Sequence, residues 1–223
     1  MITKAVIFDW DGTLADTKRA VVNSFQKVLT EEGCIVSEEF IERRMGIGTK
    51  KTIIEAFREC NIRLDISKLE KLASEKIRIQ IGLTEIVSLF NGVSELLEVL
   101  QRKTKIALAT MSARKVVDSL LSEKRIEKYF DVIISADDVS NPKPDPEVFL
   151  MAAARLGVSA RSCVVIEDSV FGVRAAKAAN MKCIAVTSGI YSKREFQEEY
   201  PDLIVESIRE TEKILNFIFS ISH

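Results

Sequence analysis

Short apolar runs rich in β-branched residues recur along the chain, at 5–8, 106–109, 132–134, 164–166, 184–186 and 203–205. They are apolar at successive rather than alternate positions, the pattern of strands covered on both faces in a parallel sheet. Helical spacing fills the intervals, at 93–100, 116–121, 148–156 and 170–179. Strand alternating with helix predicts an α/β fold built on a doubly wound, Rossmann-like parallel sheet.

Helix punctuation agrees. Asp145-Pro146 offers an N-cap acceptor and a first-turn proline ahead of Val148, Phe149 and Met151. Ser192 with Glu195, and Ser207 with Glu210, have capping-box spacing.

The stretch 17–85 breaks the alternation. Its apolar residues fall at helical spacing, as in Val21, Val22, Phe25, Val28 and Leu29, then Ile53, Ile54 and Phe57, then Leu69, Leu72 and Ala73. Ser67 and Glu70 are spaced as a further capping box, and Asn91-Gly92 marks the turn back. The division expected is an α/β core of residues 1–16 and 86–223 with an inserted all-helical domain, 17–85.

Bulk properties narrow the classes. At 223 residues, 47% hydrophobic and 29% charged, the chain can bury a sizeable core without oligomerising, so a monomer or weak homodimer is expected. A net charge of −1 gives no global field toward nucleic acid or an anionic membrane. No apolar run reaches the length of a membrane span, and Met1-Ile2-Thr3-Lys4 does not open a signal-peptide layout. Cys34, Cys60, Cys163 and Cys183 show no C-x-x-C spacing, and three of them sit in or beside apolar stretches, as free buried thiols do, so a reducing cytoplasm is the simplest reading.

Chemistry is sought where the apolar runs stop, because open α/β sheets bind ligands beyond the carboxyl ends of their strands. Those positions hold Asp9 and Asp11, Thr110 and Ser112, Asp137 and Asp138, and Glu167 and Asp168, with Lys143 in the Asn141-Pro142-Lys143-Pro144 segment. Carboxylates this close repel unless a cation or protons lie between them. An oxygen-only acidic set selects a hard cation, and Mg²⁺ is the usual one when a phosphate supplies further oxygens. A carboxylate beside such a metal can act as nucleophile, and a second acid two residues away can move the protons.

Plainer readings stand beside these. Asp9-Trp10-Asp11-Gly12 also fits a tight turn, and Asp16 an N-cap. Lys143 also fits a solvated loop charge, and Thr110 and Ser112 also fit caps of the next helix. Asp137 and Asp138 read as loop solvation or the cap of a turn. An EF-hand fits poorly because the acids lack its spacing. The single histidine, His223, ends the chain, so a histidine-based mechanism is not expected.

Taken together these residues resemble the haloacid dehalogenase superfamily. Asp9-Trp10-Asp11-Gly12-Thr13-Leu14 is similar to its D-x-D-G-T-L loop, Thr110 to its second motif, Lys143 to its third, and Glu167-Asp168-Ser169 to its fourth. The helical insertion resembles the family's mobile cap. The resemblance implies Asp9 as nucleophile and metal ligand, and Asp11 as acid/base with its carbonyl on Mg²⁺. It implies Asp168 and Glu167 as further metal positions, and Thr110 and Lys143 at the transferring phosphate, with Met111 and Ser112 also binding substrate.

Asp11 argues for phosphate-ester chemistry, since dehalogenases lack the second acid. β-Phosphoglucomutase-like members carry a histidine where this chain has Val21, which favours a phosphatase. The segment 43–50 resembles the cap's substrate loop, with Gly46 and Lys50 as candidate substrate contacts. Arg43, Arg44 and Lys76 are further cap candidates, their charges fitting a solvated face equally well. The reading the resemblance supports is a Mg²⁺-dependent phosphomonoesterase of a small phosphorylated metabolite, a sugar phosphate or phosphoglycolate in type, acting through an aspartyl-phosphate, with a β-phosphoglucomutase-type phosphomutase as the alternative.

Overall fold

The computed structural model describes residues 2–220, so His223 lies outside the described residues. In chain order the elements are β1 (Ala5–Phe8), β2 (Ala15–Asp16), α1 (Lys18–Glu31), α2 (Glu38–Glu42), α3 (Thr49–Glu59) and α4 (Ile66–Ile81). There follow β3 (Ser88–Leu89), α5 (Val93–Gln101), β4 (Lys105–Ala109), α6 (Arg114–Lys124), β5 (Val132–Ile134) and α7 (Glu147–Leu156). The chain closes with β6 (Cys163–Glu167), α8 (Val170–Ala178), β7 (Lys182–Val186), α9 (Lys193–Glu198), β8 (Leu203–Val205) and α10 (Thr211–Phe219).

Six strands form one parallel sheet in the order β5-β4-β1-β6-β7-β8. Register sets Phe8 opposite both Leu108 and Ile166, so the ends of β1, β4 and β6 lie side by side. The period-2 alternation of a strand divides β1 between two cores. Val6 and Phe8 pack with Leu96 of α5, Val117 of α6 and Ile214 of α10. Ala5 and Ile7 pack with Phe149 of α7, Val173 of α8 and Phe196 of α9.

The helical insertion has a third core, built from Phe25, Leu29, Ile53, Phe57 and Leu72 among others. Burying each such side chain contributes roughly 1.5–3 kcal/mol. The chain leaves the α/β layer and returns through the antiparallel pair β2 and β3, with Ala15 opposite Leu89 and Asp16 opposite Ser88.

Several local expectations change. The N-cap of α4 is Asp65, whose carboxylate accepts from Lys68 N at 2.8 Å, not Ser67. Asp145 Oδ1 accepts from Glu147 N, but Pro146 holds the N-cap of α7. Ser192 and Glu195 do form a capping box, whereas α10 starts only after Glu210. Asp16 is exposed and Thr17 holds the N-cap of α1.

Asp137 and Asp138 are structural rather than merely solvated. Asp138 closes a capping box with Ser135 and pairs with Arg114 and Arg155, and Asp137 accepts from Arg114 N at the first turn of α6.

The cysteine reading is corrected as well. Cys34 and Cys60 form a disulfide across 26 residues with Cα atoms 5.6 Å apart, and only Cys163 and Cys183 are free. The inference from free thiols to a reducing compartment therefore falls away. No helix among the described residues is long and apolar enough to cross a membrane.

Candidate active site

Adjacent strand ends assemble the predicted acids. Asp9 follows β1, Thr110 follows β4, Glu167 ends β6 and Asp168 follows it. Lys143, from the loop before α7, is fully buried among them. Its Nζ donates to Asp9 Oδ1 at 2.6 Å, to Glu167 Oε1 at 2.6 Å and to Ala109 O at 3.4 Å. The ring of Phe149 faces the ammonium at 4.8 Å. The solvated-loop reading of Lys143 is excluded.

Glu167 is saturated, because its second oxygen accepts from Ser169 N at 2.7 Å and Ser169 Oγ at 2.9 Å. Gly172 of α8 makes that seat possible, since a Cβ there would lie 1.8 Å from Glu167 Oε1. Asp168 Oδ1 accepts from Thr13 Oγ1 at 3.0 Å. Gly12 is equally constrained: its φ is +82°, and a Cβ would lie 2.0 Å from Asp168 Oδ2.

Asp11 is turned away from this cluster. Thr17 Oγ1 donates to its Oδ1 at 2.7 Å, Ser112 Oγ to its Oδ2 at 2.6 Å, and Thr110 Oγ1 more distantly at 3.4 Å. Its side chain is thus not part of the acidic group, whose members are Asp9, Glu167 and Asp168.

One lysine faces three buried carboxylates, so the cluster retains protons. Burial pushes Asp9 up to about 8 despite the pull of Lys143, with Glu167 and Asp11 adding to the rise. Burial likewise holds Asp168 well above the usual carboxylate range, with Glu167 and Asp9 next in effect. Burial alone would lower the Lys143 ammonium, but the charges of Asp9 and Glu167 outweigh it and raise it. The three acids offer oxygens within 4.8 Å of one another. An all-oxygen set with excess negative charge fits a hard divalent cation.

Above Asp9 lies a cavity of about 30 Å³, little more than a water molecule needs. The core contributes Asp9, Asp11, Thr110, Met111 and Ser112 to its lining. The insertion contributes Val21, Phe25, Gly46, Gly48 and Lys76 among others.

Lys76, a cap candidate, is buried with its Nζ 4.5 Å from the Phe25 ring and hydrogen-bonded to Gln80 Oε1. Burial lowers its ammonium to about 8, against the attraction of Asp11. Lys50 is not brought to this cavity, because it is exposed and paired with Glu70 at 2.6 Å. Arg44 reaches the lining, but its guanidinium is held by Glu55 and Phe40 O. Arg43 lies at the boundary with the α/β layer, paired with Glu195 at 2.5 Å, and Tyr191 Oη donates to its carbonyl at 2.8 Å.

Thr13, Thr17 and Ser169 join the site without a separate sequence signal for their roles: Thr13 and Ser169 lie within the Asp9–Leu14 and Glu167–Ser169 motifs, and Thr17 only follows Asp16.

The fold and this arrangement define a class. Residues 6–186 match the family model described as haloacid dehalogenase-like hydrolase. The chain belongs to that family and is a hydrolase of that class. It is 35% identical over 183 residues to a phosphorylated carbohydrates phosphatase of Thermotoga maritima, covering 81% of this chain and 83% of that protein. A hydrolase from Pseudomonas syringae superposes with a TM-score of 0.90 at 26% identity, covering 97% of this chain and 100% of the other. A β-phosphoglucomutase from Clostridium difficile gives 0.87 at 26% identity, covering 96% of each chain.

Proposed function

We propose that the chain is a Mg²⁺-dependent phosphomonoesterase of a small phosphorylated metabolite, of the sugar-phosphate or phosphoglycolate kind, acting through Asp9. The observation that carries this is Asp9, which lines a cavity roofed by the insertion while the buried Lys143 fixes it against Glu167, with Asp168 in the same acidic cluster. A capped site over one carboxylate with a fixed cation is suited to moving a phosphoryl group out of reach of bulk water.

Lys143 holds Asp9 Oδ1, which leaves the other oxygen to attack phosphorus. As the Asp9–phosphorus bond forms, the ester oxygen–phosphorus bond breaks and the leaving oxygen takes a proton from Asp11. Water then gives a proton to Asp11 and attacks phosphorus, which frees phosphate and restores the Asp9 carboxylate. Thr110 and Ser112, whose hydroxyls now meet Asp11, are placed to take phosphate oxygens.

Asp9, Asp168 and the Asp11 carbonyl are the groups that would hold Mg²⁺, with Glu167 behind them anchoring Lys143. Bound there, the ion supplies charge neutralisation of the phosphate. Residues 17–85 act as the cap, and Lys76, with donors to spare above Asp11, is the cap residue best placed for substrate.

A phosphomutase is the second reading, favoured by the likeness to β-phosphoglucomutase. Val21 weighs against it, since this cavity-lining position on α1 carries no proton-transferring group. Purified protein should release phosphate from acetyl phosphate and an aryl phosphate with Mg²⁺, and stop when the metal is chelated. Asp9→Asn should be inactive yet folded, and wild type should yield a borohydride-reducible acyl phosphate. Undiminished turnover by Asp9→Asn would remove the nucleophile assignment, and positional transfer without phosphate release would favour the mutase.

A further inference from the structure

Residues 187–192 leave the carboxyl end of β7, the strand beside β6, and start from a fixed point, since Thr187 N donates to Val205 O of β8 at 3.0 Å. The same loop touches the one after β1. Ser188 Oγ donates to Gly12 O at 2.8 Å, and Gly12, Ser188, Gly189 and Asp168 all line a cavity of about 160 Å³.

Asp168 stands between the two loops. A Cβ on Gly12 would lie 2.0 Å from Asp168 Oδ2, and one on Gly189 would lie 2.1 Å from the same oxygen. Thr13 Oγ1 holds the other oxygen at 3.0 Å. The carboxylate thus fills a slot walled by two glycines, and neither wall can carry a side chain unless the carboxylate moves. Gly12 is also required by its left-handed φ of +82°, whereas the backbone of Gly189 lies outside the region that favours glycine. Local conformation therefore does not ask for glycine at 189; the Asp168 carboxylate does.

Ser188 acts on a second group. The Asp11 carbonyl belongs to the peptide that ends at Gly12 N, which donates to Ala15 O at 2.9 Å, and Ser188 holds the next carbonyl along, Gly12 O. Together these two bonds fix the turn that orients the Asp11 carbonyl.

We propose that the Ser188-Gly189 loop positions the Mg²⁺ ligands, Gly189 by confining the Asp168 carboxylate and Ser188 by holding the Asp11 carbonyl through Gly12. The proposal rests on the reading of Asp168 and the Asp11 carbonyl as metal ligands. Both residues act through others and are positioning residues, a kind of support whose loss typically weakens metal binding by about 10–100-fold.

The test is calorimetric titration of Mg²⁺ into metal-free wild type, Gly189→Ala, Ser188→Ala and Ser188→Thr, with Tm measured with and without Mg²⁺ and acetyl phosphate turnover followed against Mg²⁺ concentration. Gly189→Ala is expected to raise the Kd for Mg²⁺ at least about tenfold, to raise the Mg²⁺ concentration for half-maximal turnover in step, and to leave KM for acetyl phosphate at saturating Mg²⁺ within about twofold. Ser188→Ala is expected to raise the Kd about tenfold, and Ser188→Thr, which keeps the hydroxyl, to stay within about twofold of wild type. Wild-type affinity in Gly189→Ala, or turnover lost with Mg²⁺ affinity unchanged, would overturn the proposal and leave the metal reading standing. If Gly189→Ala does not fold, Ser188→Ala decides in the same way. A wild-type protein that neither binds Mg²⁺ nor gains Tm from it would overturn the metal reading and the proposal together.

Discussion

Asp9 and Asp11 are two positions apart, yet the fold gives them opposite surroundings. Asp9 sits in the dry acidic cluster against Lys143, and Asp11 faces three hydroxyls at the cavity wall. Asp11→Asn preserves shape but removes the proton, so turnover should fall by about two to four decades, read as the phosphate release rate. Unchanged turnover would mean that another group moves the proton.

The protons on Asp9 set a pH dependence. Its carboxyl is raised from 3.8 to about 8, so between those values the folded, metal-free protein binds more protons than the unfolded chain. Stability of the metal-free protein should therefore decline as pH rises through that window. Mg²⁺ binds the deprotonated cluster, so the rise in Tm on adding it should be larger at the alkaline end. A Tm gain independent of pH would contradict the proton-holding cluster.

Among the elements, α8 and the paired helices of the insertion make separate predictions. Glycine inside a helix usually costs about 1 kcal/mol relative to alanine, so Gly172→Ala should stabilise α8 if propensity alone governed it. Here the new Cβ would strike Glu167, so the carboxylate must move and release Lys143. Loss of turnover by at least about tenfold with α8 still folded is the expected outcome, roughly 1.4 kcal/mol in the transition state. Full activity would show that the Glu167 seat does not position Lys143.

The Cys34–Cys60 bond joins the loop after α1 to the end of α3 and closes a loop of about 26 residues. Chain-entropy arguments give it about 3.5 kcal/mol. Calorimetry with and without a thiol reductant should show a lower Tm in the reduced protein, whereas identical transitions would mean that the pair contributes nothing.

Across the whole molecule, what could be read in sequence followed from local periodicity. Strands covered on both faces leave unbroken apolar runs, so all six strands of the main sheet were placed, three of them with one or two residues more. β2 and β3 have two residues each and left no pattern. The acids at strand ends were visible because topology alone gathers them. The disulfide was not, since helix packing rather than spacing brings its cysteines together. Lys76 and Lys50 also look alike in sequence, both basic on helices of the insertion. Only the third dimension buries the first beside Phe25 and gives the second to Glu70.

Arg43 reaches across from the insertion to Glu195 and to Tyr191, whose ring lies 5.3 Å beneath the guanidinium. Both partners of the ion pair are more than a third exposed, so bulk ions compete for it. This ion pair between the insertion and the α/β layer is thus more sensitive to electrolyte than the dry lysine below it. Added salt should therefore weaken this contact while leaving the buried ion pairs largely unchanged. Comparing the salt dependence of kcat in wild type and Arg43→Met isolates that contribution. A shallower dependence in the variant is expected, and parallel curves would assign the salt effect to substrate charge alone.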